Sequence, residues 1–182
     1  MAMTPRWRKF SLLVHVVTST GWIGAAILYL ALAVTVLVDT DPVVVRGALA
    51  SMRIGIWAVI VPLGVASLIT GVIQGLGTSW GLFRHYWVVF KLVLNLIGLG
   101  VLAIYTNSID YYAGLAARPE TDVPIAELRN PTHVVHSTGG LVVLIAAAVL
   151  SVYKPKGLTA RGRRPKRSAY VDNLDEISAV SR

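Results

Sequence analysis

Six side chains in this sequence are placed where they could do chemistry inside, or at the edge of, a strongly apolar chain: His15, Arg53, His85, Lys91, His133 and His136. A charge in hydrocarbon is costly, so an ionisable group within an apolar run is a functional candidate by default. Lys91 follows Trp87 by four residues, about 6 Å along a helix, and its structural alternative is a stem that reaches the headgroups. His15 follows Lys9 by six residues, about 9 Å, which puts it at a similar depth. It can serve as a neutral hydrogen-bonding group between helices or as a cofactor ligand. His85 stands beside Arg84 at the interface, where solvent or a headgroup is the alternative partner. His133 and His136 share one helical face, and neutral imidazole is a common copper or zinc ligand. They form a candidate metal pair without a third ligand nearby. Arg53 can pair with an acid, bind a propionate or phosphate, or snorkel.

Depth restricts which of these groups can share a cofactor. The two axial ligands of one haem lie at nearly the same depth on opposite faces of the ring. His15 and His136 are separated by roughly half of a ~30 Å hydrocarbon core, so they make a poor pair. An inner-leaflet site built on His15 with His85 or Lys91 is allowed, with Arg8 and Arg84 available for propionates. Cysteine is absent, which excludes disulfides, thiolate metal sites and covalent haem attachment through Cys-x-x-Cys-His. A P-loop, a G-x-S-x-G elbow, an H-E-x-x-H helix and a paired intramembrane carboxylate are also missing. Conventional ATPase, hydrolase and proton-relay chemistries have no residues to rest on.

The elements that position these groups follow from composition. The 182 residues are 55% hydrophobic and 14% charged, with a mean hydropathy of +0.66, against about 25% charged in an average globular domain. Residues 10–38, 54–83, 92–109 and 130–153 contain no Asp, Glu, Lys or Arg, and each run approaches or exceeds the roughly 20 residues a transmembrane helix needs. The expected fold is all-α: an integral membrane four-helix bundle over residues 1–157, with spans at about 10–38, 53–76, 82–105 and 132–153. An amphipathic turn is expected at 43–51 and an outer loop at about 107–131. A basic, disordered tail is expected at 158–182. Every span carries one small or polar stripe, and Gly64, Gly71, Gly98 and Gly140 read as positions where helices approach closely.

The first apolar run is about twice the length of a signal-peptide core and reads as a retained span. Lys and Arg concentrate before span one, at Arg84 and after span four, so the positive-inside rule puts both termini in the cytoplasm. Six of the nine acids fall in the two outer segments. The net charge of +8 therefore points to anionic lipid headgroups at the tail rather than to nucleic acid. The expected surroundings are the lipid bilayer of a bacterial plasma membrane, with homo- or hetero-oligomers both open.

Three motifs together carry a family likeness: His15-Val-Val-Thr-Ser-Thr-Gly-Trp22-Ile-Gly24, Pro62-Leu-Gly64 through Thr70-Gly71, and Trp87-Val-Val-Phe-Lys91-Leu92. Over about residues 10–105 the chain resembles the superfamily of small bacterial membrane proteins that includes the copper-resistance CopD family and the HemJ-type protoporphyrinogen oxidases. Gly81–Trp87 and Val152–Gly157 resemble a four-span group related to them. The resemblance implies a haem b or related tetrapyrrole ligated at His15, with the span-two arginine at Arg53 and the span-three lysine at Lys91. Two readings of other classes compete with it: a copper-handling membrane protein using His133 and His136, and a cofactor-free packing or assembly subunit. In the HemJ-type oxidases a Pro-Arg and Tyr-His segment follows the first motif; here that place holds Ala25-Ala-Ile-Leu-Tyr29, so porphyrinogen oxidation is not carried over. Were the chain an enzyme, a membrane oxidoreductase is the class implied.

Overall fold

The tetrapeptide Asp39-Thr40-Asp41-Pro42 makes the first reversal of the chain. In the computed structural model, which describes residues 3–78, 81–119, 121–160 and 162–163, helix α1 (Pro5–Val38) ends at this turn. The Asp39 carboxylate accepts from the Asp41 N–H at 2.9 Å, and the Asp41 carboxylate accepts from the Val43 N–H at 2.8 Å. Asp41 thus caps the next helix, and Pro42 takes the first helical position, where a missing N–H leaves nothing unpaired.

From there α2 (Pro42–Gly55), a π-helical turn (Ile56–Ile60) and α3 (Val61–Gly77) form one continuous helix. The amphipathic turn expected at 43–51 is the first part of that helix. Pro62 explains the π turn. A proline inside a helix lacks its N–H and clashes with the carbonyl four residues back, and the wider bond from the Val61 N–H to the Ile56 carbonyl accommodates it.

Helix α4 runs from Tyr86 to Ala116, starting later and ending later than the expected 82–105. Asn107, Asp110, Tyr111 and Tyr112, expected in a loop, are helical because no proline occurs before Pro119. A single turn, α5 (Ile125–Leu128), leads to α6 (Thr132–Tyr153). Lys154 closes α6 in the left-handed conformation, φ 42°, with Pro155 preventing its continuation.

Helix α1 packs against both the α2–α3 helix and α6, and α4 packs against the same two. The result is a ring of four antiparallel helices, each long and apolar enough to cross a membrane. No strand occurs among the described residues. The chain is an all-α, multi-pass membrane bundle.

The α2–α3 helix has 36 residues, about 54 Å at 1.5 Å per residue, against a hydrocarbon core of ~30 Å. It therefore projects beyond the apolar zone at the end that carries α5, here called the loop end. The densest core sits there, with Val36, Val45, Leu49, Met52, Ile109 and Leu128 fully buried. Two arginines tie this end together. The Arg46 guanidinium donates to the carbonyls of Ala116, Arg118 and Val123 at 2.6–2.7 Å, and Arg129 donates to the Asp39 carbonyl. Both satisfy carbonyls that a helix end leaves open.

At the opposite, tail end, the Met3 N–H reaches the Gly77 carbonyl at 3.4 Å, and the Tyr86 N–H reaches the Gly157 carbonyl at 3.3 Å. Thr159 donates from its N–H to the Arg84 carbonyl at 3.1 Å and from its hydroxyl to the Phe83 carbonyl at 2.5 Å. The first residues of the expected tail thus pack on the 81–86 turn, where Gly81 has φ +65°. Residues 161 and 164–182 of that tail lie outside the described residues.

Candidate functional site

The candidate residues divide between two polar clusters at different depths. Toward the tail end, the Thr70 hydroxyl donates to the Ala66 carbonyl at 2.7 Å. Its proton is thereby committed, so the 3.0 Å contact with His15 has the His15 Nδ1–H donating to the Thr70 oxygen. The lone pair then falls on Nε2, which faces the Lys91 ammonium at 3.5 Å. One turn along α1, the Ser19 and Ser67 hydroxyls meet at 2.8 Å. Polar contacts of this kind join membrane helices. Gly71 makes room for the imidazole, since a Cβ there would lie 3.2 Å from His15 Cε1.

The second cluster stands toward the loop end, 14 residues farther along α1, about 21 Å away. Tyr29 donates to the Tyr105 hydroxyl at 3.3 Å, and Tyr105 meets His133 Nδ1 at 2.6 Å. Because Tyr105 receives from Tyr29, its own proton is free to go to His133. His133 is fully buried, and its Nε2 has no hydrogen-bond partner among the described residues. The Tyr112 ring stands edge-on to His133 at 5.0 Å. His136 stacks on Tyr105 at 4.8 Å between ring centres. Its Nδ1–H donates to the Thr132 carbonyl at 2.8 Å, which leaves Nε2 as an acceptor.

Between the two clusters lies a cavity of about 370 Å³, within the range of small-molecule pockets. Trp22 and Tyr29 of α1, Asn95 and Tyr105 of α4, and His136 and Gly140 of α6 are among its walls. None of its lining residues is Asp, Glu, Lys or Arg. Val101, Val135 and Gly139 line it and are also exposed, so the mouth opens between α4 and α6 onto the surface that lipid would cover.

The glycine stripes have different uses here. Gly64 is a packing position, because a Cβ would lie 2.8 Å from Trp22 and 2.9 Å from Leu99. Gly98 is in ordinary contact with Val143. Gly140, expected to pack, does not: a Cβ at Gly139 or Gly140 would meet nothing within 4 Å. Their missing side chains leave the cavity open instead of drawing helices together.

The structure brings His15 and Lys91 together, as their matched depths led one to expect. It places Arg53 elsewhere. Arg53 pairs with Asp110 at 3.0 Å, and Trp57 donates to the same carboxylate at 3.3 Å. Arg53 stands 17 residues before Thr70 on a continuous helix, about 25 Å from the His15 contact. One cofactor cannot touch both. His85 precedes α4, and its carbonyl accepts from the Val88 and Val89 N–H groups. His133 and His136 flank Tyr105 without a third ligand; no group of three His, Asp or Glu able to hold a metal occurs among the described residues. Sequence reading gave Tyr29 and Tyr105 no role. Only the register between α1, α4 and α6 joins them to His133.

The fit of haem b can be judged from these contacts. At the tail end, both His15 ring nitrogens are engaged, and iron ligation would displace Lys91 or Thr70. In the cavity, His136 Nε2 is available, but no cation lines the walls to meet the two propionates. Lys91 lies one turn below Asn95 with its ammonium turned to His15. The residues fit a neutral ligand better than haem b. No family model, curated protein or solved structure matches this chain.

Proposed function

We propose that this chain is a bacterial plasma-membrane protein, with both termini cytoplasmic, whose bundle binds a small hydrophobic ligand inside the membrane. The observation that carries the reading is the uncharged cavity of about 370 Å³ whose mouth faces the lipid surface between α4 and α6. A cavity with apolar walls and a few convergent polar groups is the usual form of a ligand site. Here two glycines with open space beside them keep its α6 wall clear. Haem b, which the CopD and HemJ-type likeness implies, is the alternative ligand. No reaction is assigned.

The experiment is saturable binding of an apolar fluorescent probe to purified protein in mild detergent, with the visible spectrum recorded in parallel. Gly140→Leu is expected to abolish probe binding without loss of folding. Equal binding by wild type and Gly140→Leu would overturn the cavity reading. A Soret band lost in His15→Ala would move the cofactor to the tail end and restore haem b there.

A further inference from the structure

We infer that the cavity ligand is a neutral, membrane-soluble quinol or phenol whose ring hydroxyl donates a hydrogen bond to Nε2 of His136. The inference rests on the cavity being a ligand site and names what it takes.

The argument comes from which hydrogen-bonding capacities remain unspent. Beside His136 the donors that line the cavity are committed: Tyr29 gives its proton to Tyr105, and Tyr105 gives its own to His133, whose unpartnered Nε2–H lies on a residue outside the cavity lining. Ser137 donates to the His133 carbonyl at 2.6 Å, and the His136 Nδ1–H is held by the Thr132 carbonyl. The remaining capacity is acceptor capacity, on His136 Nε2 and the Tyr29 oxygen. A ligand that only accepts, such as a quinone carbonyl or an ether, finds no free donor among the lining groups beside His136. One that carries an O–H finds an acceptor in His136 Nε2.

At the far end, Asn95 spends one amide N–H on the Lys91 carbonyl at 2.8 Å and keeps the other N–H and its oxygen. Asn95 and Tyr105 are ten residues apart on α4, about 15 Å. That length exceeds one aromatic ring, so a ring bonded to His136 leaves the Asn95 end to its substituents. The lining is uncharged, which disfavours carboxylates and phosphates. Trp22 and the stacked Tyr105–His136 rings offer aromatic surface to a planar group. An apolar tail can leave through the mouth at Val101, Val135 and Gly139 into lipid.

The test uses the full chain in detergent or lipid discs and three probes of nearly equal shape: a short-tailed benzoquinol kept reduced, its quinone, and its di-O-methyl ether. The quinol is expected to bind about tenfold more tightly than either, the worth of one hydrogen bond. In His136→Ala this preference should vanish while the weaker binding persists. Gly140→Leu, or Gly139→Leu should the first fold poorly, is expected to remove binding of all three. Equal affinities for quinol and ether in wild type would overturn the inference, as would a preference surviving in His136→Ala. If an apolar probe still binds in a Gly140-dependent way while the quinol shows no advantage, the ligand class is wrong and the cavity reading stands. If nothing binds, both fall.

Discussion

The Lys91 ammonium stands 3.5 Å from His15 Nε2 across a gap of 76 residues in sequence. The contact orders a chain of donors, from Lys91 to His15, to Thr70, to the Ala66 carbonyl. Three helices of the bundle are joined at that level.

Removing either partner of the Lys91–His15 contact leaves the other unsatisfied. His15→Ala and Lys91→Met are each expected to destabilise the bundle by about 1–3 kcal/mol. The double variant should lose less than the sum, because both remove the same contact. Thermal unfolding in detergent reads the comparison. Strict additivity would show that the two side chains act independently.

Two glycine substitutions should separate packing from cavity. Gly64→Ala drives a methyl to 2.8 Å from the Trp22 ring and should cost about 1–3 kcal/mol. Gly140→Ala enters open space and should leave the melting temperature near that of wild type. Similar losses in both would mean that α6 is tightly packed at Gly140.

Tyr105→Phe deletes the 2.6 Å bond to His133 and leaves both nitrogens of a fully buried imidazole unpartnered. A loss of about 1–3 kcal/mol is expected. Tyr29→Phe removes only the outer 3.3 Å link and should cost less, about 0.5–1.5 kcal/mol. The reverse order would place the key contact at Tyr29 instead.

The loop-end arginines should differ by function. Arg53 and Asp110 form an exposed pair, with side chains 57% and 37% accessible, and Arg53→Ala is expected to cost under about 1 kcal/mol. Arg46→Ala strips partners from three carbonyls at once and should cost more, about 1–3 kcal/mol. Unfolding at two salt concentrations checks both the order and the screening expected of the exposed pair.

Sidedness can be read directly because the chain contains no cysteine. A cysteine at Ser168 should react with an impermeant thiol reagent only from the cytoplasm, and one at Thr121 only from outside. The opposite pattern would invert the bundle.

Four uncharged runs with turn-forming residues between them determined four membrane-spanning helices, because hydrocarbon admits few charges and requires backbone groups to be satisfied within each segment. The Asp39–Pro42 turn was likewise legible, since capping chemistry is local. The matched depths of His15 and Lys91 followed from helical rise alone. What the sequence left open depends on rotation and register between helices. Tyr29, Tyr105 and His133 become one hydrogen-bonded chain only when three helices present them at one level. Gly64 and Gly140 are the same residue type on similar stripes. Only the packed bundle decides that one is pressed against Trp22 while the other stands beside empty space. A one-dimensional pattern records which residues share a face, but not which neighbour that face meets, so contacts and voids belong to the tertiary structure.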